Sequence, residues 1–144
     1  ASDAGATHLV STPVDTPFLP GDLVPQLLLA AEASSGGLAL AADATGDHPA
    51  TALWPVALAP ALAAFLASGE AKVTRFTAAH GAARALFPDP WAFLNLNTPE
   101  DLSAAEAVVT AAGLTPFGHA DYDPGQRFYF FDWDGIEFEV MSYG

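Results

Sequence analysis

Two hydrophobic periods divide this chain, and the change comes near Gly113. Before it, short apolar runs alternate with segments close to the 3.6-residue helical period; after it, an alternation of period two takes over. Residues 8–14 read as an apolar strand, with Pro13 marking its end. Residues 20–34 carry Leu23, Val24, Leu27, Leu28 and Ala31 at helical spacing, and Ser35-Gly36-Gly37 stops that helix. Residues 38–42 are a short strand, 43–49 a polar turn and 51–56 another strand. A helix over 57–67 places Leu58, Leu62, Phe65 and Leu66 on one side, and Ser68-Gly69 ends it. Residues 71–79 form a shorter helix closed by His80-Gly81. Strands over 82–87 and 93–96 flank a loop that Pro88-Asp89-Pro90 forces. A helix over 98–112 follows: Thr98 is a good N-cap, Pro99 sits where a missing N–H costs nothing, and Glu100 and Asp101 favour the positive end of the helix dipole. Gly113 is its stop.

From Leu114 onward no helical period remains. Residues 115–120, 127–131 and 136–142 read as strands, joined by turns at Asp123-Pro124-Gly125-Gln126 and Asp132-Trp133-Asp134-Gly135. Period two puts Phe128, Phe130, Ile136, Phe138 and Val140 on one face of a hairpin. Tyr129, Phe131, Glu137 and Glu139 fall on the other. The expected fold class is therefore α/β, a sheet with helices followed by a C-terminal antiparallel β meander.

Composition narrows the function classes. The 144 residues are 51% hydrophobic, enough for a real core. No apolar run reaches the roughly 18 residues that span a bilayer. No signal peptide is visible, and a cytoplasmic origin is expected. The absence of cysteine excludes disulfides and thiolate metal sites. Seventeen acidic residues face only Lys72, Arg75, Arg84 and Arg127, for a net charge of −13. Four scattered cations cannot track a phosphate backbone, so neither nucleic-acid nor anionic-membrane binding is expected.

The candidate chemistry sits at strand ends. Asp15 follows a strand and precedes a helix, in the turn Asp15-Thr16-Pro17-Phe18-Leu19-Pro20, and the carboxyl ends of strands in open α/β sheets are where ligands bind. A carboxylate there can hold Mg²⁺, which takes hard oxygen donors and bridges to phosphates; it can equally order the turn. Asn95 and Asn97 either cap the strand end or face a ligand. Lys72 and Arg75 share one helix face by their i, i+3 spacing, as surface charge or as anion contacts. His48 is expected to pack on Trp54.

Taken together these pieces resemble the second half of the molybdenum cofactor guanylyltransferases. The resemblance runs over residues 8–108. It rests on Asp15 to Pro20, then Asp47-His48-Pro49 before Ala52-Leu53-Trp54, then Leu66 to Val73, and finally Phe93-Leu94-Asn95-Leu96-Asn97-Thr98-Pro99-Glu100-Asp101-Leu102. It implies a partial nucleotidyltransferase, Rossmann-like sheet, with Asp15 as the metal and nucleotide-phosphate aspartate. It further implies that Asn95 and Asn97 lie near a molybdopterin-type substrate and that Lys72 and Arg75 lie in a basic segment. Members of that family also carry a glycine-rich loop that cradles nucleotide phosphates with backbone N–H groups. No such loop occurs in these 144 residues, so tight GTP binding by this chain alone is not expected.

The tail resembles a second family. Gly113-Leu114-Thr115-Pro116-Phe117, Tyr122 to Phe130 and Asp132 to Val140 are similar to the closing strands of a vicinal oxygen chelate domain, of the glyoxalase and dioxygenase-like superfamily. By that pattern Glu139 matches a divalent-metal carboxylate, which would need at least two more ligands; otherwise it is an ordinary strand residue.

The chain thus reads as a guanylyltransferase-like half over residues 1–109 joined within a helix to a vicinal oxygen chelate-like meander over 110–144, packed as one unit. Three functions remain open: a nucleotidyltransferase half inactive alone, a metal-binding vicinal oxygen chelate-like protein, or an inactive structural chimera. The edge expected at the start of the sheet invites pairing with another chain, so a homo-oligomer is expected.

Overall fold

Strand β2 (Ala39–Asp43) is buried on both faces, and the first sheet is built around it. The computed structural model describes residues 5–89 and 91–142. They fall into two units, one of Ala1–Val14 and Phe18–Phe93, the other of Asp15–Pro17 and Leu94–Gly144.

In the first unit the strand order is β1-β3-β2-β4, with β1 (His8–Ser11), β3 (Gly46–Pro55) and β4 (Ala83–Leu86). β3 runs antiparallel to both β1 and β2, and β4 lies parallel to β2. A parallel pair needs a long crossover, and helices α2 (Ala59–Ala67) and α3 (Val73–Ala79) supply it. Period two sorts the side chains. Ala39, Ala41, Leu53 and Ala85 pack under helix α1 (Leu23–Ala31), which contributes Leu23, Leu27 and Ala31. Leu40, Ala42 and Ala52 face the other way, with Trp54 and Ala82. There Phe76 of α3 is fully buried, its ring 5.3 Å from that of Phe65 and 6.3 Å from that of Trp54.

In the second unit α4 (Pro99–Ala111) packs on β6 (Gly125–Phe131) and β7 (Glu137–Ser142), and β5 (Phe117–Tyr122) completes an antiparallel sheet of order β5-β6-β7. α4 begins with a full capping box: Thr98 accepts from the Asp101 amide, and the Asp101 carboxylate accepts from the Thr98 amide. It buries Leu102, Ala105 and Val109, an i, i+3, i+7 stripe. Phe128 pairs across the ladder with Val140, and Phe130 with Phe138. Gly118 adopts φ +64° at a break in the β5 register, where a Cβ would stand 3.0 Å from the Tyr129 ring.

Several expected elements differ. The strand expected over 93–96 does not form; this stretch is a turn and irregular loop. The Leu96 amide donates to the Asp15 carbonyl at 3.1 Å, and that of Asn97, just beyond the stretch, to the Asp101 carboxylate at 3.1 Å, instead of to a ladder. The polar turn expected over 43–49 is shorter, because β3 already starts at Gly46. Pro49, which cannot donate to a ladder, falls where the β2–β3 register shifts. His48 lies 2.9 Å from Asp43 and stacks on Phe93 at 4.5 Å rather than on Trp54, whose indole N–H donates to Ser11 at 2.8 Å. Ile136 leaves the expected hairpin face: it precedes β7, and its amide donates to the Asp132 carboxylate at 2.8 Å. Among the described residues no helix is long and apolar enough to cross a membrane.

Candidate functional site

The residues expected at a ligand site are divided between the two units. Asp15 and the Asn95–Asn97 loop belong to the same unit, and Lys72 and Arg75 to the other. The Asp15 carbonyl accepts the Leu96 amide, which fixes the aspartate turn against the loop between the two asparagines. Leu96 and Thr16 are buried beneath this junction, whereas Asn95 and Asn97 are exposed and Asp15 is half-buried.

Among the described residues, no capping bond occupies the asparagine side chains. Asp101 takes the amides of both Asn97 and Thr98, and Thr98 takes that of Asp101. The Thr98 hydroxyl beside the Asp101 carboxyl, and then the amides donated by Asn97 and Thr98, hold that carboxyl below its ordinary value. Asn95 and Asn97 are therefore left to present their amides outward. The Asp15 carboxylate likewise has no side-chain partner among the described residues. The loop thus offers one carboxylate and two neutral amides on a backbone that hydrogen bonds hold in place. That set suits a ligand with both donors and acceptors.

Asp15 fits Mg²⁺ only in a limited sense. Magnesium is usually held by one or two carboxylates plus waters and substrate phosphates, and a single aspartate supplies one such donor. A cage made of protein alone is not present, since no group of three or more His, Asp or Glu side chains that could hold a metal occurs among the described residues.

The two cations expected on one helix face are arranged differently. Lys72 lies before α3 as its N-cap, in extended conformation, because the helix begins at Val73. Arg75 lies within α3 and pairs with Glu70. Both are exposed.

Glu139 is engaged. Its Oε1 accepts from Arg127 Nη1 at 2.8 Å and from the Tyr129 hydroxyl at 3.1 Å. A guanidinium at that distance repels a divalent cation, so the donor set does not fit a metal. Arg127 was not singled out from the sequence, yet it organises this end of the sheet. Buried, it also donates to the Tyr122 and Gly125 carbonyls and lies 3.8 Å over the Tyr122 ring. The only hint in the sequence was the rarity of a cation in so acidic a chain.

The second polar cluster lies in the same unit. His119 of β5 bonds Glu106 of α4 at 2.9 Å, beside Ser103, Asp121 and Gln126, around a cavity of about 330 Å³.

A model of the MobA-like NTP transferase domain matches residues 1–84. The chain belongs to that family. Relatives that it matches include molybdenum cofactor guanylyltransferases. That of Cereibacter sphaeroides is 60% identical over 109 residues, 76% of this chain and 55% of the relative. That of Rhodopseudomonas palustris is 46% identical over 108 residues, 72% of this chain and 50% of the relative. The chain therefore spans about half the length of the curated relatives it matches. Among solved structures, molybdopterin-guanine dinucleotide biosynthesis protein A from Archaeoglobus fulgidus superposes with a TM-score of 0.58 at 20% identity, over 77% of this chain and 60% of that one. That likeness supports the mixed α/β fold with its nucleotidyltransferase-like sheet.

Proposed function

We propose that this member of the MobA-like family is a guanylyltransferase-related half that holds the acceptor side of the reaction and does not transfer GMP by itself. In this reading Asn95 and Asn97 meet the pterin-phosphate acceptor. Asp15 contributes one oxygen to Mg²⁺, which would offset phosphate charge during transfer. Lys72 and Arg75, which belong to the other unit, are proposed separately as contacts for an anionic group. The remaining groups, above all the glycine-rich phosphate loop, are outside these 144 residues. The observation that carries the reading is the hydrogen bond between the Asp15 carbonyl and the Leu96 amide. It ties the Asp15 turn to the loop that carries the two asparagines, in a chain 60% identical over 109 residues to a relative named as a guanylyltransferase.

The similarity of residues 110–144 to vicinal oxygen chelate strands belongs to the same proposal, as ancestry. Glu139 then serves as counter-ion to Arg127 rather than as a metal ligand. A cytoplasmic setting agrees with cofactor biosynthesis.

The test is a titration followed by NMR. A pterin monophosphate with Mg²⁺ should shift the side-chain amides of Asn95 and Asn97, and Asp15→Asn should abolish the magnesium dependence. No shift at millimolar ligand would remove the site assignment. Mg-GTP should give little heat in calorimetry. A micromolar dissociation constant, about −8 kcal/mol, would overturn the claim that this chain alone cannot bind the nucleotide.

A further inference from the structure

The cavity of about 330 Å³ in the second unit has polar walls from three elements: Ser103 and Glu106 of α4, His119 and Asp121 of β5, and Gln126 of β6. The donors on these walls point at neighbouring acceptors. His119 Nε2 donates to Glu106 Oε1 at 2.9 Å, the Gln126 side-chain amide to Asp121 Oδ2 at 3.2 Å, and the Ser103 hydroxyl to the Pro99 carbonyl at 3.1 Å. What remains, apart from one N–H of Gln126, is acceptor capacity. Among the described residues no donor takes up Glu106 Oε2, Asp121 Oδ1 or the Gln126 amide oxygen. Arg127 also borders the cavity, but its Nη1 and Nη2 are committed to Glu139 and to the Tyr122 and Gly125 carbonyls. Ser142 adds a separate sign. It stands directly opposite Gln126 in the β6–β7 ladder, so both side chains rise on the same face of the sheet. It is fully buried, and its hydroxyl has no hydrogen-bond partner. An unpaired buried polar group is costly, and this one lies next to a wall of the cavity.

We propose that this cavity binds a small organic cation with several N–H donors, with Glu106 and Asp121 as its counter-charges. Hydrogen bonds from such a cation to a carboxylate are charge-assisted and strong. An anion would meet two carboxylates instead, and an apolar ligand would strip water from their oxygens without replacing it. A metal ion is a poorer match, since no group of three ligating side chains occurs among the described residues. The inner N–H of the ligand pairs with the Ser142 hydroxyl when Gln126, held at 3.2 Å by the exposed Asp121, swings aside. The inference is independent of the ligand assigned to Asp15, and its test uses a different probe.

The probe is 1,4-diaminobutane, added to the whole 144-residue chain and followed by NMR. Salt at about 0.15 M screens diffuse attraction to so acidic a protein. The diamine should shift the backbone amides of Glu106, His119 and Asp121 and the side-chain amide of Gln126. These shifts should saturate by about 10 mM. Asp121→Asn and Glu106→Gln should each weaken binding about tenfold or more, so the inference stays testable if either variant unfolds. Ser142→Ala should weaken it about threefold or more. Asp134→Asn removes a carboxylate from the β6–β7 turn, outside the cavity, and should leave binding unchanged. Tetramethylammonium, which carries the charge without N–H donors, should not move these resonances. Shifts that do not saturate, that survive all three cavity variants or that tetramethylammonium reproduces would overturn the proposal. So would an Asp134→Asn variant that loses binding as much as Asp121→Asn does.

Discussion

Arg127 Nη1 donates to Glu139 Oε1 at 2.8 Å across strands β6 and β7, and the arginine is buried while the glutamate is half open to water. The asymmetry predicts unequal mutants. Arg127→Met removes the donor to Glu139 and to two backbone carbonyls, and leaves those carbonyls without it. It should lower the melting temperature by several degrees. Glu139→Gln keeps an acceptor oxygen and should lower it less. Chelator should change neither melt nor that of the wild type. A chelator-dependent drop confined to wild type would return Glu139 to the metal ligands.

Phe128 is fully buried under α4, while its diagonal neighbour Phe138 is 45% exposed. Phe128→Ala should cost about 3–5 kcal/mol, as large-to-small changes in a packed core do. Phe138→Ala should cost about 1 kcal/mol or less. Urea denaturation followed by far-UV circular dichroism measures both. Equal costs would mean that α4 does not cover the inner end of the hairpin.

The capping box offers a local test of α4. Thr98→Ala removes the acceptor for the Asp101 amide and should destabilise the second unit by about 1 kcal/mol. Thr98→Ser keeps the hydroxyl and should restore most of the loss. Hydrogen exchange at the first turn of α4 reads the effect directly, and unchanged protection in Thr98→Ala would show that the cap is dispensable.

Asp43 predicts one component of acid unfolding. Burial opposes its charge, but the Thr45 hydroxyl, the Thr45 amide and His48 outweigh it and hold the carboxyl at about 2, against an ordinary 3.8. A folded-state value below the unfolded one adds stability that is complete above the ordinary value. It disappears as pH falls through about 2. The amount is roughly 2 kcal/mol. Asp43→Asn should therefore be less stable than wild type near neutral pH and nearly equal to it near pH 2. A gap that persists at pH 2 would assign the loss to geometry instead of charge.

Local chemistry is what the sequence alone determined. The α4 start was legible because Thr98, Pro99 and Asp101 satisfy backbone groups within four residues of themselves. The β6–β7 hairpin was legible because alternation and a tight turn at Asp132–Gly135 fix the register between neighbours in sequence. What only the tertiary structure decided involves partners far apart along the chain. Phe93–Leu96 has the apolar character of a strand, yet a strand needs a ladder, and Asp15, about eighty residues earlier, takes the Leu96 amide instead. Lys72 and Arg75 have helical spacing, but the helix starts one residue too late to put both on its face. His48 had two aromatic residues to choose from, and the path of the chain after β4 brought Phe93. Arg127 gave no signal in the sequence beyond the rarity of a cation, because its value lies in carbonyls and a carboxylate that converge only when three strands pair. Periodicity and capping are properties of adjacent residues. Which amide meets which carbonyl across the fold depends on the closure of long loops, and no local pattern encodes it.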